Sequence, residues 1–180
     1  MATSSAFSKQ FLTGLDADRH NGLGLVLSAT LPLAIFVIAN GLAELSGITA
    51  LFFAPLGLPS WMGAVLHLGS LPLFGIARWL VADRGDAGRK AGWWVVGLMA
   101  ALIVHPFLVM PLHALFLSIL SVAILFVGMG ALVRVAAVDA KAAMIMAPGM
   151  AWMGFSAFIG LSFAAAWAPP FAVTSSQGAV

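Results

Sequence analysis

The chain has 180 residues, of which 62% are hydrophobic and only 8% charged, and its mean hydropathy is +1.09. An ordinary soluble domain carries about 25% charged residues, so this chain has too few to cover a water-facing surface. A net charge of +2 offers no basic face for nucleic acid, and the absence of cysteine excludes disulfides, thiolate metal sites and cysteine nucleophiles. The expected class is an all-α integral membrane protein, with the lipid bilayer as its first partner.

Residues 1–22 hold Lys9, Asp16, Asp18 and Arg19 and no long apolar run, so no cleavable signal peptide is expected there. Phe7, Phe11, Leu12 and Leu15 fall near one face of a short interfacial helix, and a loosely ordered tail fits the same residues equally well. A helix needs about 20 mostly apolar residues to cross the hydrocarbon. Five stretches meet that length, at 23–45, 60–82, 91–110, 112–138 and 142–168. The tight join near Pro111 makes spans 3 and 4 antiparallel neighbours. Residues 46–59 read SGITALFFAPLGLP, a segment too apolar for a loop in water and too short to span. It is expected to form a lid over the bundle mouth, with an interfacial re-entrant turn as the alternative. Pro169 and Pro170 close span 5, and 169–180 reads as a flexible tail.

Charge gives the orientation. If the N-terminus lies in the cytoplasm, that side holds Lys9, Arg19, Arg84, Arg89, Lys90 and Lys141, with Arg78 and Arg134 at the inner helix ends. The opposite side holds none of the eight cations, which the positive-inside rule reads as N-terminus in and C-terminus out.

Polar groups inside hydrocarbon are costly and tend to face a bundle interior or a cavity. On span 2, Ser60, Gly63, His67 and Ser70 repeat along one helical face. On span 3, Gly97, Ala101 and His105 do the same, and on span 5 Gly149, Trp152, Ser156 and Gly160. Asn40 and Glu44 share a face of span 1. At 1.5 Å per residue, His67 sits roughly 10 Å below the outer end of span 2. Asn40, Glu44, His105, His113, Ser156 and Gly160 all fall in the outer half as well. That convergence predicts a ligand pocket beneath the 46–59 segment. Close helix packing by small residues is the alternative for Gly63, Gly97 and Ala101.

No two carboxylates share a site for paired acid–base work. His105 and His113 lack the spacing of a helical metal site, and a His67–His105 pair offers one arrangement for axial haem ligation. No metal ligand set and no catalytic set is assigned. The inner half lacks the charged rings or continuous polar stripe of an ion channel.

Two segments resemble the TspO/translocator protein family, also called tryptophan-rich sensory proteins or peripheral benzodiazepine receptors. Pro59-Ser60-Trp61 and the following LFGIARWLV (73–81) are similar to that family's Pro-Pro-x-Trp start of span 2. Ala147-Pro148-Gly149-Met150-Ala151-Trp152-Met153-Gly154-Phe155-Ser156-Ala157 resembles its span-5 Pro-Tyr-Leu-Ala-Trp-x-x-Phe-Ala signature. The likeness runs over roughly 25–168 and is closest to the bacterial type. It implies a five-helix transmembrane bundle in the bacterial inner membrane, a homodimer, and a pocket for porphyrin, haem or a sterol-like molecule, with no obligatory cofactor. Trp152 matches the pocket tryptophan, and Ser156 and Gly160 match further lining positions. With Trp61, Gly149, His67, His105, Asn40 and Glu44 they form the candidate binding set. Family aromatic and amide positions fall on His67, Gly149, Gly160, Pro106 and Val109, and the chain has no tyrosine.

Three functions are therefore expected to compete. The first is a sensory, regulatory or transport protein that binds a flat hydrophobic ligand. The second is a membrane enzyme on tetrapyrrole, carotenoid or lipid, with His67 or Glu44 as acid–base residue. The third is a structural subunit without a small-molecule ligand.

Overall fold

The computed structural model describes residues 22–109, 112 and 114–167. The described residues form five helices and no strand: α1 Gly22–Leu45, α2 Ser60–Ala82, α3 Gly85–Leu108, α4 Ala114–Val138 and α5 Ala140–Trp167. Each is long and apolar enough to cross a membrane, and the protein is an all-α membrane bundle. Helix α3 begins at Gly85, six residues before the apolar stretch, because Gly85–Lys90 forms a polar helical turn ahead of the span. The expected interfacial helix, the 168–180 tail and most of the join near Pro111 lie outside the described residues.

The surface is built for lipid. Leu23, Leu31, Ile35, Val37, Ile38 and Leu42 of α1 are all exposed, as are Phe116, Phe126 and Val133 of α4. Apolar area on this scale would drive aggregation in water. In hydrocarbon it carries no penalty, so the helices need no polar outer face.

Packing places α2 at the centre, against α1 on one side, α5 on another and α3 on a third. The ring continues from α5 to α4 and from α4 to α3, and a lighter α1–α3 contact completes it. Leu71, Phe74, Ala77 and Val81 of α2 are fully buried, together with Val95 and Leu98 of α3, Val135 of α4 and Met146 of α5. Helix α1 is peripheral and buries only Pro32 and Phe36. It still approaches α2 closely, because Pro32 has no N–H to give the Ser28 carbonyl, and that oxygen lies against Gly75, where a Cβ would collide with it.

One end of the bundle carries the short α2–α3 and α4–α5 turns. There Arg84 donates to Asp139 at 2.8 Å, joining the two turns. The other carboxylate oxygen of Asp139 caps α5, accepting from the amides of Lys141 at 2.8 Å and Ala142 at 3.1 Å. The Ala142 amide, with the Lys141 amide and the Arg84 guanidinium behind it, holds this carboxyl below its ordinary range. Arg134 lies 4.1 Å above the Trp94 ring, binding α4 to α3 by a cation–π contact. This basic end holds every described cation. The opposite end carries the uncharged segment 46–59.

Candidate functional site

Segment 46–59 turns inward at its middle. The Leu51 amide donates to the Pro106 carbonyl at 3.0 Å, one of the last carbonyls of α3, which has no partner within its own helix. Phe52 then packs on Phe36 at 5.9 Å between ring centroids and edge-on to His67 at 5.6 Å, and Phe36 stacks on Phe107 at 5.7 Å. Gly63 lets α2 pass beneath this segment, since a Cβ there would run into the Phe53 carbonyl. The tip is a turn in which Leu56 and Gly57 both take positive φ, 61° and 74°. Leu56 is 72% exposed, so its strained backbone sits outside the packed region.

Beneath this cover lies a cavity of about 50 Å³. Leu51, Phe52 and Phe53 form its roof. Its walls come from α2 (Gly63, His67), α3 (Leu102, His105, Pro106), α4 (Ser121, Ile124) and α5 (Trp152, Met153, Ser156, Ala157). Every helix except α1 contributes, and the lining side chains are apolar apart from two imidazoles, two hydroxyls and the Trp152 indole N–H.

The polar groups are held by a chain of local causes. Pro106 cannot bond to the Leu102 carbonyl one turn back, so that oxygen is free inside the bundle. His67 Nε2 reaches it from α2 at 2.9 Å. His105 Nε2 pairs with Ser121 Oγ at 3.0 Å, and Ser121 Oγ lies 2.9 Å from the Leu117 carbonyl oxygen. The two imidazoles stack, with centroids 6.2 Å apart and planes 23° from parallel. Ser156 Oγ is buried and has no hydrogen-bond partner among the described residues. Trp152 stands one turn away and leans on Phe155 at 5.9 Å.

Of the nine expected site residues, the fold brings His67, His105, Trp152 and Ser156 to the cavity. The other five go elsewhere. The space beside Gly149, expected to admit a ligand, is filled by Phe74 and Ser70 of α2, which lie within 3.0 Å of where its Cβ would be. Gly160 packs against α4, its carbonyl accepting from Ser118 Oγ at 3.0 Å. Trp61 is 63% exposed on the outside of α2. Asn40 and Glu44 share a face as expected but satisfy each other, Nδ2 to Oε1 at 2.6 Å, on a helix that does not line the cavity. His113 lies outside the described residues.

The sequence reading missed Ser121, Leu102, Pro106 and the roof residues individually. Pro106 carried the one available signal, since a proline inside a span announces an unpaired carbonyl four residues earlier. Among the described residues no three of His, Cys, Asp and Glu come together as a metal group. His67 and His105 do not fit an axial haem pair, because their Nε2 atoms are turned to separate partners and their rings stack on each other. A cavity of this size also falls well below the roughly 300 Å³ at which pockets for drug-sized ligands begin, so a macrocycle does not fit with Leu51–Phe53 where they stand.

Compared with known proteins, the chain matches no family model, and no curated protein or solved structure is significantly similar to it.

Proposed function

We propose that the protein is a TspO-like membrane protein that binds a flat hydrophobic ligand in the cavity beneath residues 46–59, in a sensory, regulatory or transport role. The observation that carries this reading is the convergence of Trp152, His67, His105 and Ser156, from three helices, on one apolar cavity under an aromatic roof. Binding sites of this kind combine apolar walls with a few placed polar groups. A porphyrin or sterol is larger than this cavity, so on this reading Leu51–Phe53 moves aside to admit one. An acid–base role for Glu44 has no support, because Glu44 is paired with Asn40 away from the cavity.

Titration with protoporphyrin IX and with the fluorescent sterol dehydroergosterol, read by tryptophan quenching and energy transfer, tests the reading. Trp152→Ala is expected to weaken binding of the accepted ligand more than tenfold, about 1.4 kcal/mol. Trp93→Ala, exposed near the basic end, is the control and is expected to change little. Equal affinities in the two variants would move the ligand out of this cavity.

The same proposal includes a homodimer. Gly92 faces Arg78 within the bundle, whereas Gly97 has open space beside it on the outer face of α3, where a second helix approaches closely. Gly97→Leu is expected to shift the particle toward monomer in light scattering. An unmutated protein that is already monomeric removes the dimer from the proposal.

A further inference from the structure

The hydrogen bond at the cavity wall fixes where His67 carries its proton. A carbonyl oxygen only accepts, so His67 Nε2 donates to Leu102. Ser121 Oγ lies within hydrogen-bond distance of both the Leu117 carbonyl and His105 Nε2, so the His105 tautomer follows whichever of the two takes the Ser121 proton. In a neutral imidazole with Nε2 protonated, Nδ1 is a bare acceptor. Among the described residues no hydrogen bond reaches Nδ1 of either ring.

Ser156 supplies the complement. Thr30, Ser46 and Ser162 each return their hydroxyl to the carbonyl four residues earlier. Ser156 does not, and its Oγ stays buried in the cavity wall without a partner. A hydroxyl left unsatisfied in an apolar interior is costly, so this one is available as a donor. The lining thus combines the Ser156 hydroxyl and the Trp152 indole N–H as neutral donors with the bare Nδ1 of His67 as acceptor, within apolar walls and with no cation among the lining residues.

An alcohol or phenol both donates and accepts, and answers a bare imidazole nitrogen and Ser156 together. A carboxylate only accepts. It would meet an imidazole lone pair and find only neutral donors to hold its charge in an apolar site without a cation. We infer that the cavity is a head-group site selecting a neutral hydroxyl on an apolar body over a carboxylate, with Ser156 donating to that hydroxyl and a histidine Nδ1 accepting from it. This rests on the ligand-binding reading above and, within it, favours the sterol-like ligand over the acidic porphyrin. A cavity of about 50 Å³ takes the head and the adjoining carbons, and the body follows as the roof opens.

Three probes with one flat body separate the outcomes: 1-methylpyrene, 1-pyrenemethanol and 1-pyrenecarboxylate. They are titrated against the purified full-length protein at pH 8, above the ordinary imidazole pKa of about 6.5, with affinities corrected for partition into the detergent. The alcohol is expected to bind at least about fivefold tighter than the methyl compound, the gain from its hydrogen bonds to Ser156 and the histidine, and the carboxylate more weakly than either. Ser156→Ala is expected to cut the alcohol's advantage over the methyl compound severalfold, the remainder being the bond to the histidine nitrogen. A carboxylate that binds as tightly as the alcohol overturns the inference but leaves the binding reading standing. So does an alcohol advantage that Ser156→Ala leaves undiminished. If none of the three binds, the binding reading itself fails.

Discussion

Pro106 shows how one residue shapes the site through what it lacks. Without an N–H it leaves the Leu102 carbonyl unpaired in an apolar interior, and His67 satisfies that oxygen at 2.9 Å. This pairing holds the imidazole against the cavity and decides which of its nitrogens bears the proton. His67→Phe would preserve an aromatic contact for Phe52 but leave the carbonyl buried and unpaired, a cost of about 1–3 kcal/mol. The melting temperature in detergent is expected to fall accordingly. Adding Pro106→Ala restores an amide for Leu102, so the double variant is expected to recover most of the loss. A double variant no more stable than His67→Phe alone would mean that the carbonyl is not what His67 serves. The sequence made part of this legible. Intramembrane histidines announce a cavity or an interhelical bond because hydrocarbon penalises them, and both histidines are where that logic places them. Gly149 and Gly160 misled for the same physical reason that makes glycine useful. A missing side chain admits either a ligand or a neighbouring helix, and here Phe74 and Ser70 fill one space while a Ser118 hydrogen bond takes the other carbonyl.

At the scale of elements, segment 46–59 is the part whose behaviour matters most. It is held by one backbone hydrogen bond, Leu51 to Pro106, by Phe52 among Phe36 and His67, and by the close passage of Phe53 over Gly63. These are few contacts for a segment that covers a cavity, and segments with few contacts open at low free-energy cost. Gly63→Ala places a methyl group against the Phe53 carbonyl, and overpacking of this kind costs about 1–3 kcal/mol. The cost falls on the closed state alone, so the open fraction is expected to rise at least about fivefold. The chain contains no cysteine, so Met153→Cys introduces a single thiol on the buried wall of the cavity. Its labelling rate by a water-soluble maleimide is expected to rise in the Gly63→Ala background. An unchanged rate would show that the roof is not governed by this contact. The apolar composition of 46–59 signalled that it packs on the bundle. Its contact points depend on where α2 and α3 end in space, which hydropathy does not specify.

For the whole molecule, one asymmetry runs the length of the bundle. Arg78, Arg84, Arg89, Lys90, Arg134 and Lys141 all belong to the end with the two short turns. The loop end carries the cavity and no described cation. The short turns allow little freedom in this arrangement, since Arg84 and Asp139 bridge them at 2.8 Å and the four helices they join must cross together. Cations near the span ends oppose translocation, which is the basis of the positive-inside rule. Attraction to an anionic cytoplasmic leaflet adds about 1 kcal/mol per Lys or Arg near the surface. With six described cations at one end and none at the other, inversion is strongly disfavoured. The expected topology therefore puts the basic turns in the cytoplasm and opens the cavity toward the far side, within reach of molecules arriving from outside or along the outer leaflet. Reporter fusions check this without a ligand. Junctions at Asp86 and Lys141 are expected to give cytoplasmic activity, and a junction at Gly57 is expected to give activity on the opposite side. Placing an extra pair of lysines in 46–59 is expected to raise the inverted fraction, because it weakens the very asymmetry that sets orientation. An external signal from Asp86 in the unmodified protein would reverse the molecule, turning the cavity to the cytoplasm and its ligand into an intracellular one.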